Sequence, residues 1–595
     1  MASSALVETV YGPVVGFDEP GFIPGLSQSI RKVPVRKFLG VPYGQAERWK
    51  RVEPPTPWKE PLVCNEFGPS FPQFPFTPFD NIYPEPILAK RQSVQSDQKG
   101  FTVNIFSSPD IKEGDNVPVM VRALLHGCSS VTTYDPTEWV RREASKGRKF
   151  IVVTGNIRTN LVGFLASNDL IQEDPDGLAG NYGKSFLVSR TFFPKFTSLS
   201  CSLVLTLVFF TLKKGAYDCI ALFKWIQQNI AKFGGDSDNV TAFGESAGAF
   251  LLAHLMLCKE KLFRRVILQS GALQTSVSNE KTAEEHEKVY EGLLQRASIK
   301  AESGAERLKA LRALPIEELV QHLSMSVREV GMVAEDGRSG KAIWSEGCAL
   351  SRLRAGEWGR HIESVMIGVV KDEGSLLCGV MQSHTAPGYE LVRHEFLADV
   401  PHQTLGPLYD FPDQPHIDNP SNPADPFDFT RCSGSLAVAD KLFNVPAELL
   451  VAALDGAKNA QTQKPLPVFL YKLDATAAEL MPPGRVLGVP HTIDVVLLFN
   501  MCQYWGPESE SARVSATLGK TWYEYARDGR PAGNWPEYQR QRSPYRLVFH
   551  QDGGASLEDL GKRSETDKRR MKFWADHLQL GQFWLPPPPV TDILN

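Results

Sequence analysis

Val240-Thr-Ala-Phe-Gly-Glu-Ser-Ala-Gly248 is the stretch on which the reading of this chain turns. Val240–Phe243 has the character of a short buried strand, and the apolar run Ala249–Leu257 that follows the glycines has the character of a helix. Upstream, Ala216–Phe233 carries Ile220, Phe223, Ile226, Ile230 and Phe233 on one helical face, and Gly-Gly-Asp-Ser-Asp-Asn (234–239) reads as a turn. Gly-x-Ser-x-Gly by itself is a weak signal, since ordinary Gly and Ser usage produces it by chance in roughly one chain in four of this length. Strand in and helix out gives it weight. A serine on such a turn is strained and exposes its Oγ for attack, and glycines on either side leave room where strand and helix nearly touch. The competing reading is a glycine-rich turn around an inert buried serine.

Val33–Val41 reads as a short β-like run, and the apolar runs Val117–Leu125, Phe150–Thr154, Val365–Val370 and Val468–Tyr471 read as buried strands. Helical patterns alternate with them, which predicts an α/β architecture with a central, mostly parallel sheet flanked by helices. No repeat of 20–50 residues is present. Pro54–Pro86 and Phe411–Asp428 read as proline-rich loop regions. At 595 residues the chain is long for one domain. No linker divides it, however, and residues 1–595 read as a single unit.

Composition is that of an ordinary globular protein, with 42% hydrophobic and 22% charged residues, a net charge of −4 and mean hydropathy −0.21. It gives no reason to expect nucleic acid or an anionic membrane as partner. Met1–Glu8 lacks a basic stretch leading into an apolar one, so no secretory leader is expected. The nine cysteines are scattered without a Cys-x-x-Cys pair, which argues against a zinc site or a dense disulfide framework and for a reducing, intracellular setting.

Asn239–Gly248 closely resembles the corresponding run of the type-B carboxylesterase/lipase family, which includes the cholinesterases. Phe38–Tyr43 (FLGVPY), Gly163–Ala166 (GFLA), Gly180–Gly183 (GNYG) and Phe263–Gly271 (FRRVILQSG) agree with it in chain order, from about Val7 to the C-terminal region. The resemblance implies the α/β-hydrolase fold, a small-molecule ester substrate and no metal or organic cofactor, while the shortness of the apolar run Leu203–Phe210 argues against an integral membrane segment. The resemblance leaves the oligomeric state and the particular ester open.

A serine hydroxyl needs a base, which in turn needs an orienting carboxylate. The residues alone leave the base open among many histidines between His254 and His577. The resemblance selects His491, because Leu487–Phe499 is similar to the family's histidine loop, and it makes Asp494 a structural acid. It selects Glu373 as the acid, through Val365–Gly374 and its Asp-Glu-Gly turn, with Asp372 as substitute. Thr492 stands where the family often has glycine. The implied triad is Ser246, Glu373 and His491.

For the oxyanion hole the resemblance implies backbone N–H groups of Ala247, Gly127 and Cys128. The family's glycine run is altered here to Leu125-His-Gly-Cys-Ser-Ser130, and removal of one donor typically slows such chemistry by about 10²–10³-fold. The expected activity is therefore carboxylic-ester hydrolysis through an acyl-enzyme. The alternative is a catalytically weak or inactive cholinesterase-like binding protein. Phe71 stands where secreted relatives of this type begin a disulfide, and Ser96–Phe106 offers no partner, which fits a cytoplasmic location.

One segment is foreign to the rest. Lys184–Gly215, KSFLVSRTFFPKFTSLSCSLVLTLVFFTLKKG, contains no Asp or Glu, and its apolar core is too short to cross a bilayer. Gly215-Ala-Tyr-Asp-Cys-Ile resumes the expected pattern after it. Phe, Leu and Ser have all-pyrimidine codons, and Gly183-Lys184 is what GGTAAG encodes, so the segment reads as a translated intron or another error in the gene structure. The alternative is a real loop or lid.

Overall fold

The computed structural model describes residues 4–21, 33–72, 95–124, 135–174, 214–273, 280–281, 283–322, 332–333, 349–383, 385–409, 427–431, 434–481, 485–499 and 505–578. Among the described residues, twelve strands build the central sheet: β1 (Ser4–Glu8), β2 (Pro13–Glu19), β3 (Val35–Pro42), β4 (Thr102–Ser107), β5 (Val117–Leu124), β6 (Ile151–Asn156), β7 (Gly235–Glu245), β8 (Arg265–Gln269), β9 (Ser364–Val370), β10 (Val468–Asp474), β11 (Tyr545–His550) and β12 (Ala555–Asp559). They form one sheet in the order β1-β2-β3-β4-β6-β5-β7-β8-β9-β10-β11-β12, with the short strand Leu62–Val63 beside β2. From β6 through β11 every neighbouring pair is parallel, and the flanking pairs of the main path are antiparallel. This is the α/β-hydrolase architecture.

The unbroken apolar runs of the central strands follow from burial on both faces. Successive side chains alternate sides. Thus Val119, Val121, Val266, Leu268, Val365 and Ile367 enter one core, while Met120, Ile267 and Met366 enter the other. Each such side chain contributes roughly 1.5–3 kcal/mol when fully buried. The first core is closed by α2 (Lys214–Asn229) and α3 (Ala247–Leu255), and the second by α1 (Thr137–Ser145) and α6 (Glu510–Asp528). The predicted face of α2 and its 3₁₀ extension is fully realised: Ile220, Phe223, Ile226, Ile230 and Phe233 are all buried.

One local expectation is corrected. Residues 234–239 are not simply a turn, because β7 already begins at Gly235. Gly234 alone makes the reversal, in the left-handed conformation with φ +92°. A register irregularity then separates the pairs Val117↔Gly235 and Val119↔Val240, and it absorbs the polar residues between them.

Phe71 fills its position by packing. It is fully buried and meets Phe101 edge-on, with ring centroids 4.8 Å apart. Cys64 is buried as a thiol, and burial pushes it up to about 12. Cys219, Cys258 and Cys378 are likewise buried thiols outside any disulfide. Substituting Phe71→Ala should cost about 3–5 kcal/mol, the usual penalty for deleting a buried ring. Denaturant unfolding measures this directly, and an unchanged midpoint would show that Phe71 does not carry the local core.

Candidate active site

β7 ends at Glu245 and α3 begins at Ala247, so Ser246 is the whole connection between strand and helix. Its backbone sits at φ 55°, ψ −123°, a strained setting for a residue with a side chain. Neighbours hold it there. The Ser246 N–H donates to Gln269 O at 2.8 Å, and the Phe250 N–H donates to Ser246 O at 3.0 Å. A β-carbon on Gly244 would lie 2.7 Å from the carbonyl carbon of Gly248, so strand and helix can approach this closely only with glycine at 244. The expected elbow is present. Ala247 opens the helix, where first-turn N–H groups lack a partner within the helix.

Glu373 opens a second helix, α4 (Glu373–Val380), directly after the β9 strand and the two residues Lys371 and Asp372. It is completely buried. Its Oε1 accepts the Val370 N–H at 2.9 Å, which leaves Oε2 aimed at the histidine loop. There the His491 Nδ1–H donates to Glu373 Oε2 at 2.6 Å. This bond fixes the tautomer of the neutral ring, with Nε2 as the acceptor nitrogen. Nε2 reaches the elbow itself, 3.1 Å from Oε1 of Glu245. The ring of Phe443, from the π-helical turn Asp440–Asn444, packs on the imidazole at a centroid distance of 4.5 Å.

The electrostatics follow from burial. Burial alone lowers the imidazole's affinity for a proton, but the carboxylates of Glu245, Glu373 and Asp494 outweigh it, so His491 titrates above its usual range. Burial pushes Glu245 up to about 7, against the attraction of His491 and Arg122. It also raises Asp494, although the Gln269 Nε2–H donates to Asp494 Oδ2 at 2.8 Å. Asp494 therefore belongs to the support of the site, on α5 (Ile493–Leu498), as a buried acceptor for Gln269. Thr492 just before it adopts φ +76°. That conformation suits glycine, and in a β-branched residue it costs roughly 1–2 kcal/mol, which explains why the altered position is noticeable in sequence.

Glu373 and His491 are brought together, with Ser246 one residue from the carboxylate that meets His491 Nε2. Asp372 makes no such contact with the imidazole. Its carboxylate accepts the Val489 N–H instead. Gly127 and Cys128 lie outside the described residues. Two close neighbours of the imidazole are not evident from the sequence. Glu245 occupies the first variable position of Gly-x-Ser-x-Gly, where its adjacency to the serine is a usable signal. Phe443 has none, since nothing local connects residues 48 positions apart.

A strained serine at the carboxyl end of a central parallel strand, whose neighbour Glu245 meets the imidazole of a buried His–Glu pair, defines a serine hydrolase of the α/β class. Comparison makes this specific. The chain belongs to the carboxylesterase family, whose profile matches residues 4–185 and 214–574, and it is accordingly a carboxylic-ester hydrolase. It is 26% identical to the para-nitrobenzyl esterase of Bacillus subtilis (strain 168), across 96% of this chain and 98% of that protein. It is also 26% identical to the "inactive carboxylesterase-like protein VdtD" of Byssochlamys spectabilis, across 84% and 83%. A solved thermophilic PNB esterase shares the fold at TM-score 0.63 and 22% identity, covering 96% of this chain and all of the other.

The carboxylate nearest Nε2 yields a pH prediction. A general base must be unprotonated, so if His491 has that role kcat/KM is expected to fall as pH drops through its pKa. Glu245 helps hold that pKa up. In Glu245→Gln the acid limb of the profile should move to lower pH, and a limb that stays in place would remove Glu245 from the titrating unit.

Proposed function

We propose that Ser246, His491 and Glu373 hydrolyse a small carboxylic ester through an acyl-enzyme. The observation that carries this reading is the buried 2.6 Å bond from His491 Nδ1 to Glu373 Oε2, with His491 Nε2 3.1 Å from Glu245, the residue before the strained Ser246. Ser246 Oγ attacks the carbonyl carbon and gives its proton to His491 Nε2. The imidazolium, stabilised by Glu373, then passes that proton to the departing alcohol. Water enters and its oxygen attacks the acyl carbon as His491 takes one of its protons; the bond from the acyl carbon to Ser246 Oγ then breaks as His491 returns that proton to Oγ, which releases the acid and restores the neutral base. The Ala247 N–H, with those of Gly127 and Cys128, receives the charge that develops on the carbonyl oxygen.

Ser246→Ala should abolish both p-nitrophenyl ester turnover and labelling by a fluorophosphonate probe, while the protein remains folded. Labelling retained on another serine would overturn the assignment. A folded wild-type protein that neither turns over nor labels would favour the binding-protein reading.

The anomalous segment is read in the same framework as a part of the gene rather than of the enzyme. Residues 186–213 fall between the two matched parts of the family profile, and Lys184–Lys213 lie outside the described residues. Immediately afterwards α2 is anchored by Asp218, whose carboxylate forms a buried ion pair with Arg158 at 2.7 Å. Breaking such a pair costs about 3–5 kcal/mol, so the helix has its own reason to dock whether or not the segment precedes it. Joining Gly183 to Ala216 should therefore give a more soluble and more active enzyme. Peptides from within 186–213, detected by mass spectrometry in the native organism, would refute the intron reading.

The cysteine usage supports a reducing, cytoplasmic setting. The buried thiols of Cys64, Cys219, Cys258 and Cys378 and the aromatic packing of Phe71 need no disulfide to hold them.

A further inference from the structure

Asp372 stands at the N-terminal cap of α4, a position for which aspartate is among the best residues. Yet its side chain makes no capping hydrogen bond to the helix. The carboxylate turns away and accepts, at Oδ2, the N–H of Val489 in the histidine loop at 2.8 Å. In the other direction the Asp372 N–H donates to Val489 O at 3.0 Å. One turn further along α4, Ser375 Oγ donates to Leu487 O at 2.6 Å. Between these tethers lies Gly488, at φ +63°, where a β-carbon would fall 2.2 Å from Asp372 Oδ2. The loop can press against the carboxylate only because residue 488 is glycine.

We infer that Asp372 is the positioning residue of the histidine loop, holding Val489 so that His491 meets Glu373 in register. The inference rests on the triad reading above. Glu373 follows Asp372 directly and His491 follows Val489 by two residues, so the paired bonds at 372 and 489 fix the separation of the acid from the base. Glu373 cannot follow a displaced ring, because its other oxygen is held by the Val370 N–H. Misplacement of a reacting group by about 1 Å costs on the order of 10²-fold in rate.

The experiment compares Asp372→Ala, Asp372→Asn and His491→Ala with the wild type, with kcat referred to active sites titrated by a fluorophosphonate. Asp372→Ala should lower kcat by about 10²-fold while KM changes little. Asp372→Asn, whose amide oxygen accepts the same N–H, should recover most of the loss. A purely structural role would reduce the titrated fraction or Tm and leave kcat per site unchanged, and that outcome overturns the inference. So does an equal loss in the Asn variant, which would make charge and not the hydrogen bond the operative feature. His491→Ala separates the two levels. If it keeps wild-type kcat the triad reading itself fails, whereas if it is inactive and Asp372→Ala is not, only the positioning role fails. Should Asp372→Ala be insoluble, Gly488→Ala places a β-carbon against Asp372 Oδ2 and disturbs the same tether, and a kcat per site unchanged in that variant overturns the inference equally.

Discussion

The hydrogen bond between His491 Nδ1 and Glu373 Oε2 spans 2.6 Å with both partners buried, and the geometry of the site depends on it. A carboxylate is expensive to remove from water unless its lone pairs are satisfied. Glu373 meets that cost with the Val370 N–H on one oxygen and the imidazole on the other. The imidazole in turn has a single orientation, fixed by the carboxylate at one edge and by the ring of Phe443 across its face. A solvated pair of the same residues would gain little and wander. Here the dry surroundings make the bond strong and also make its loss costly.

The sheet is what brings these groups together without a continuous stretch of chain. β7, β9 and β10 run parallel within four neighbouring strands, so their carboxyl ends open on one edge, where ligands of open α/β sheets bind. Ser246 leaves β7 there, and Glu373 follows β9. His491 lies seventeen residues beyond the end of β10, in a loop that returns to pair with the turn after β9 through the bridge Asp372↔Pro490. Two packed cores hold the strands rigid from both sides, which is why a catalytic geometry can be set by elements that lie far apart in sequence.

What the sequence disclosed and what it withheld divide along the same line. Strands buried on both faces announce themselves as apolar runs, and Val117–Leu124, Ser364–Val370 and Val468–Asp474 fall within a few residues of where hydrophobicity put them. The elbow was legible because its requirement is local: a serine between glycines, with a strand before and a helix after. The start of β7 was not, since Asp236–Asn239 has turn composition and pairs only through a register irregularity with β5. Among the many histidines nothing local singled out His491, and only family resemblance did. The contact of Phe443 with that ring is a product of tertiary packing that no periodicity or spacing encodes, whereas Glu245 is marked in the sequence by its place beside the serine.

The buried cluster also has a charge balance that explains its titration. Glu245, Glu373 and Asp494 surround His491, with Arg122 as a further cation acting on Glu245. Three ionised carboxylates against one guanidinium and a neutral ring would leave two uncompensated negative charges in a medium that solvates them poorly. Taking up a proton relieves this, and the upward shifts of Glu245, Asp494 and His491 all act in that direction. In the proposed reaction, in which Ser246 attacks and the imidazole takes its proton, the added positive charge offsets part of that excess. The same carboxylates that make the ring harder to deprotonate thereby favour the imidazolium formed during the reaction. The site trades readiness of the base for stability of the charged intermediate.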